Sequence, residues 1–290
     1  MADAADAEGR ARRLADERAE RRAAGDFAAA DELRDRIRDL GFEVVDEPGG
    51  FELRPAAAPA AEFSVQWVVE GWPEDVARGI AAFDRHHAGR SVEHVVVDAV
   101  GLTDPPWSSE ATVVEVDPGA GWGAARAAGL AATESRVVVA VDGSIEPEGD
   151  VLTPLARALD DHRVGVAGPF GIVTKDLREF RASNGPEVDA IEGYCMAFRR
   201  DVLVEAGGFD AGFRFYRAAD LELSFRIRDR GLRAMVVDVP VRRHEHRMWS
   251  STPEAERDRL SRRNFYRFLD RYRGRYDLCI TRRENGGDTT

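Results

Sequence analysis

Several polar residues stand where an apolar strand or a helix start would deliver them to a ligand. Asp142 follows the run Val137-Val-Val-Ala-Val141, Asp98 ends a similar run from Val92, and Glu70 follows another from Phe63. Asp220 and Glu222 head the segment Asp220-Leu-Glu-Leu-Ser-Phe-Arg226, and His244 and His246 flank Glu245 after an apolar stretch. A carboxylate can take a proton from a hydroxyl or offer oxygen to a hard cation, and an imidazole can serve as base or ligand through nitrogen. A spacing of two on an extended chain puts both imidazoles on one side. Positions i and i+2 do not share a helix face, so Asp220 and Glu222 are not one carboxylate pair: one faces a ligand and the other an arginine. Each residue also has a plain structural use, the acids as turn or cap residues and the histidines as solvated side chains.

The stretch Pro118-Gly-Ala-Gly-Trp-Gly123 leads into an alanine-rich helix and mimics a nucleotide-binding loop, where glycines let the backbone approach a ligand. In dinucleotide enzymes and methyltransferases that loop follows the first strand. Here two strands and a helix precede it, which ranks a methyltransferase third among the functional readings.

These residues need a scaffold of strands alternating with helices. Strands are predicted at 63–70, 92–100, 111–116 and 136–141, with a helix over 73–87 and the Gly-rich helix between the last two strands. This alternation predicts an α/β fold, a mostly parallel sheet with helices on both faces and the ligand site at the carboxyl ends of the strands. Glu70, Asp98, Gly119–Gly123 and Asp142 then share one rim. Ahead of this domain (63–250), helical spacing of Ala11, Leu14 and Ala15, and of Phe27, Leu33 and Ile37, predicts a helical hairpin. Gly25 and Gly41 close its helices. A β-hairpin completes a unit over 1–54, and 55–62 is a linker. A basic amphipathic helix is expected over 251–278 and a disordered tail over 279–290.

The 290 residues carry a net charge of −12, which argues against nucleic-acid binding by the whole surface. Cys195 and Cys279 are too few for a disulfide framework or a four-cysteine zinc site. The N-terminus lacks the apolar core of a signal peptide and no apolar run approaches a membrane span, so a cytoplasmic location is expected. The basic helix leaves room for peripheral contact at the inner membrane face, although a solvated lid is the safer reading.

Between Glu192 and His246 the chain carries Gly193-Tyr-Cys-Met-Ala-Phe-Arg-Arg200, Gly207-Gly-Phe-Asp210, Asp220-Leu-Glu-Leu-Ser-Phe-Arg226 and the closing histidines. This region resembles the second half of family 2 glycosyltransferases, and Gly121-Trp-Gly-Ala-Ala-Arg126-Ala-Ala-Gly129 resembles their Gly-rich segment, with Ala127 where Asn is frequent. The resemblance implies a GT-A fold and inverting transfer from a nucleoside-diphosphate sugar to an acceptor hydroxyl, lipid-linked or polysaccharide. It makes Asp220 the base, with Ala219 replacing its acidic neighbour. Asp98 would contact the nucleotide base, and Glu70, Arg126 and Asp142 would join it in binding the donor. It implies Mn²⁺ or Mg²⁺ on Asp142 and on His244 or His246, with His244 preferred. Ser144 occupies the second-acid position, weakening the metal unless Glu146 compensates. Ser144 and Ala219 also motivate the alternative, an inactive nucleotide-sugar- or RNA-binding adaptor.

The pattern over residues 10–54, including Asp26-Phe-Ala-Ala-Ala-Asp31 and Leu33-Arg-Asp-Arg, resembles the C-terminal appendage of cysteinyl-tRNA synthetases. The chain has no HIGH-like or KMSKS-like sequence, so no aminoacylation is implied. Contact with tRNA is less favoured than packing or dimerisation, because no aromatic residues interleave the arginines.

Overall fold

The computed structural model describes residues 2–47, 50–56, 61–107 and 110–280. The chain forms two compact units, Met1–Pro59 and Ala60–Thr290.

In the first unit, helices Ala2–Ala23 and Phe27–Asp39 precede a hairpin of Phe42–Glu47 and Gly50–Pro55. Asp26 caps the second helix by accepting a hydrogen bond from the Ala29 amide at 3.2 Å. Its small core is Ala11, Ala15, Ile37 and Val44. Beside that core, the buried Arg18 donates to both carboxylate oxygens of Asp46, at 2.8 and 3.0 Å.

The second unit is built on an eight-stranded sheet. Its order is Glu187–Val188, Arg233–Val236, Val164–Gly168, Cys195–Arg199, Val137–Val141, Phe63–Val69, Val92–Asp98 and Ala111–Glu115. Cys195–Arg199 and Glu187–Val188 run against the other strands, which are mutually parallel in direction. Alternation along Val137–Val141 explains why so apolar a strand lies in the middle. Val137, Val139 and Val141 enter a core with helices Pro73–His86 and Leu152–Leu159. Val138 and Ala140 enter another with Trp122–Ala131, Arg200–Glu205 and Ala219–Asp229.

Three features depart from the sequence reading. Gly171–Thr174, Phe180–Ser183 and Ala190–Ile191 form a separate three-stranded sheet, which no sequence pattern announced. The C-terminal helix, Glu254–Tyr272, is part of the fold rather than a detached lid: Phe268 and Tyr272 are buried and their rings pack on Phe225 at 5.2 and 5.6 Å. The expected disordered tail begins too early, because Cys279 is buried and the Ile280 amide donates to Asp189 at 2.8 Å; its residues 281–290 lie outside the described residues, as do 57–60 of the expected linker. Among the described residues, no helix is long and apolar enough to cross a membrane.

Candidate active site

A cleft of about 530 Å³ opens at the carboxyl ends of the central strands. Asp142 and His246 line it, as do Asp220, Glu192, Tyr194 and Tyr216.

Asp142 leaves its strand into a tight turn, where its Oδ1 accepts hydrogen bonds from the Ser144 amide (2.8 Å) and the Ser144 hydroxyl. Its Oδ2 lies 3.2 Å from His246 Nε2. Burial works against the ionised form, yet His246 and Ser144 outweigh it and hold the carboxyl below the ordinary aspartate range. His246 caps the short helix Arg247–Ser251, and its Nδ1 accepts the Trp249 amide hydrogen at 3.1 Å. A ring nitrogen that accepts carries no proton, so Nε2 is the protonated nitrogen and donates to Asp142. Tyr216 stacks on the imidazole at 4.4 Å and Tyr194 meets it edge-on at 5.7 Å.

Asp220 lies in the first turn of Ala219–Asp229. Its Oδ2 accepts from the Gly193 amide and its Oδ1 from the Leu221 amide, both at 2.9 Å. Burial raises its carboxyl above the ordinary value, opposed by those amides and by Arg217. Ala218, two residues before Asp220 and at the cap of its helix, has a left-handed backbone, φ 64°. Glu222 points away from the cleft: it is buried, accepting from Arg226 at 3.0 Å and pairing with Arg271. Glu192, which no motif singled out, is raised by burial and by the Asp220 charge.

Other expectations are corrected. Arg126 cannot touch a donor, being 1% exposed and turned inward, where it donates to the carbonyls of Gln66 and Val141 at 2.8 Å each. Burial brings its guanidinium down to about 10, so it remains a cation behind Asp142 and Glu70. Burial also pushes the half-buried Glu70 up to about 7, against Arg126. Asp98 shapes its own loop, accepting from the amides of Val100 (2.8 Å), Gly101 (2.9 Å) and Leu102 (2.6 Å), and does not line the cleft. His244 does not pair with Asp142; its Nε2 lies 2.7 Å from Glu146 Oε2, which also removes Glu146 as a substitute for the missing acid.

The Gly-rich loop is not a phosphate cradle. The Trp122 and Gly123 amides donate to the carbonyls of Arg214 (3.1 Å) and Phe213 (2.9 Å). A Cβ on Gly123 would sit 2.1 Å from the Asp210 carbonyl oxygen. These glycines admit the 210–214 loop, not a nucleotide, which removes the structural basis for a methyltransferase.

The donor set does not fit a divalent cation. Asp142 has Ser144 rather than a second acid beside it, His246 presents N–H rather than a lone pair, and a metal-bound imidazole needs an acceptor, not an amide N–H, at its other nitrogen. Among the described residues, no three His, Cys, Asp or Glu side chains gather as a metal-binding group.

The larger unit is an α/β domain whose fold is of the GT-A type. More particularly, residues 127–262 match the model of glycosyl transferase family 21, a span that contains Asp142, Asp220 and both histidines but not Glu70, Asp98 or Arg126. The fold is similar to that of GalNAc-T7 solved with UDP, GalNAc and Mn²⁺ (TM-score 0.59, 16% identity, covering 81% of this chain and 52% of that one). It is also similar to the mannosyltransferase PcManGT from Pyrobaculum calidifontis in complex with GDP-Man and Mn²⁺ (TM-score 0.51, 21% identity, 66% and 61%). The chain thus spans about half of the first protein and about three-fifths of the second. No curated protein matches by sequence.

Proposed function

We propose that this chain transfers a sugar from a nucleoside-diphosphate sugar to an acceptor hydroxyl with inversion at the anomeric carbon. The observation that carries this reading is Asp220, a carboxylate fixed by two backbone amides on the wall of a cleft that also holds Asp142. In a single displacement the acceptor oxygen attacks the anomeric carbon, its proton passes to Asp220 Oδ, and the bond to the diphosphate breaks on the opposite side. A raised carboxyl is a better proton acceptor than an ordinary one. Asp142, held ionised, has lone pairs left to accept hydrogen bonds from donor hydroxyls, with Arg126 balancing its charge from behind. Asp98 acts by holding its loop and Glu70 by facing Asp142 and Arg126.

The ligands of the similar structures, UDP and GalNAc in one and GDP-Man in the other, make nucleoside diphosphates the first probes. A thermal-shift screen over these and their sugars tests the reading, because a ligand of the folded state raises its apparent stability. Nuclear magnetic resonance of the product then reads the anomer. A retained configuration would remove the single displacement, and no shift with any nucleotide would remove the reading itself. For the N-terminal unit we propose a packing or pairing role, since Arg18 is spent on Asp46; binding of tRNA by the isolated unit in a gel-shift assay would overturn this.

A further inference from the structure

Several arginines of this unit are already spent. Arg226 donates to the carbonyls of Ala206 and Gly208 as well as to Glu222, and Arg267 and Arg271 hold Asp210. Three that line the cleft are different. Arg178 and Arg262 are exposed and, among the described residues, have no carboxylate within ion-pair distance. Arg217 rests over the Trp249 ring at 5.3 Å and its charge lowers the Asp220 carboxyl, but among the described residues it too makes no ion pair. They come from three separate elements: the turn before Phe180–Ser183, the segment before Ala219–Asp229, and the C-terminal helix.

An exposed arginine without a partner is ordinary taken alone. Convergence of three on one cleft is informative because that cleft must hold a diphosphate and has no side-chain set for a cation. A chain of net charge −12 also repels an anionic donor at long range, so neutralisation must be local. Guanidinium forks match phosphate oxygens in pairs of hydrogen bonds.

Resting on the proposed sugar transfer, we propose that Arg178, Arg217 and Arg262 hold the donor diphosphate and stabilise it as it leaves, so that this enzyme needs no divalent cation. When the bond between the anomeric carbon and the diphosphate oxygen breaks, its electron pair goes to that oxygen, and guanidinium N–H groups donate to it. The acceptor proton goes to Asp220. The positive charge a cation would bring beside Asp142 is supplied by Arg126, buried behind the carboxylate.

The test is calorimetric binding of UDP and GDP to the full chain, with Mn²⁺ and with excess EDTA, in wild type, Arg217→Gln and the double variant Arg178→Gln/Arg262→Gln. The expected result is equal affinity in Mn²⁺ and EDTA, with a loss of roughly tenfold or more in the arginine variants. Raising salt should weaken wild type more than the variants. Circular dichroism melts establish that each variant is folded; for one that is not, the corresponding lysine variant, which keeps the charge but loses the guanidinium fork, is measured instead and should lose an intermediate share of the affinity. Binding that collapses in EDTA and survives the arginine substitutions overturns the proposal while leaving sugar transfer standing. If neither nucleotide binds under either condition, both fall.

Discussion

Two acids of the cleft, Asp142 at a strand end and Asp220 at a helix start, are held in opposite ways. Asp142 is surrounded by donors, two from Ser144 and one from His246, and its carboxyl lies below the ordinary range. Asp220 accepts hydrogen bonds from backbone amides and is pushed above that range by burial, against those amides and Arg217. In the proposed transfer the first keeps a fixed negative charge and the second receives a proton. Environments that push like groups apart separate a binding role from a base.

The sharpest way to break this comparison is substitution of the two acids. Asp220→Asn should lower the transfer rate by roughly 10²- to 10⁴-fold while donor affinity stays near wild type. Asp142→Ala should instead weaken donor binding, by about tenfold, for lost hydroxyl contacts and an uncompensated Arg126. Transfer assays paired with calorimetry read both, and retained turnover in Asp220→Asn would strip Asp220 of its role.

A second substitution tests the strand end alone. Ser144→Asp places a second carboxylate beside the first, enough with diphosphate oxygens to complete a cation's shell. Nucleotide affinity should become responsive to Mn²⁺, by about tenfold, in this variant and not in wild type. By linkage the nucleotide must tighten Mn²⁺ by the same factor.

The pH profile sharpens the other half. The base must be deprotonated, so kcat/KM should rise with pH through the Asp220 value, on a limb displaced above the ordinary aspartate value of about 4. A limb at or below that value would assign the base elsewhere. Glu70 gives a smaller effect on stability. Its folded value of about 7 lies above the unfolded one of 4.5, so the folded state holds the extra proton between them. Its contribution is complete below the unfolded value and is lost as pH rises through about 7. Relative to wild type, Glu70→Gln should therefore melt higher at about pH 8 than at about pH 5, as read by thermal denaturation. The smallest expected effect is that of removing the first unit: residues 62–290 should keep their melting transition and donor affinity, and failure to fold would make the hairpin part of the core.

The parallel strands were legible because runs such as Val137–Val141 are apolar on both faces, as only a covered central strand requires. Asp142 and Asp220 were legible as residues ending or opening such elements. Their partners were not. His246 rather than His244 meets Asp142 because His246 begins a short helix whose Trp249 amide turns the ring, and period-two spacing does not report that. Arg126 was expected to bind the donor, but a helix rich in glycine and alanine lies close enough to the sheet to point this arginine at two strand carbonyls. The turn bearing Arg178 was invisible because its strands are only four residues long.

The loop before Asp220 is pinned from two directions. Arg214 and Phe213 carbonyls take the Trp122 and Gly123 amides on one side; on the other, Asn264 of the C-terminal helix donates to the carbonyls of Phe215 (2.6 Å) and Arg217 (2.9 Å). Opening that loop means breaking both sets at once, so no low-energy local fluctuation frees it. In hydrogen exchange, the Trp122 and Gly123 amides should therefore be released with the slowest strands of the sheet, as members of one cooperative unit. The C-terminal helix, distant in sequence from Asp220, then belongs to the part of the protein that unfolds last.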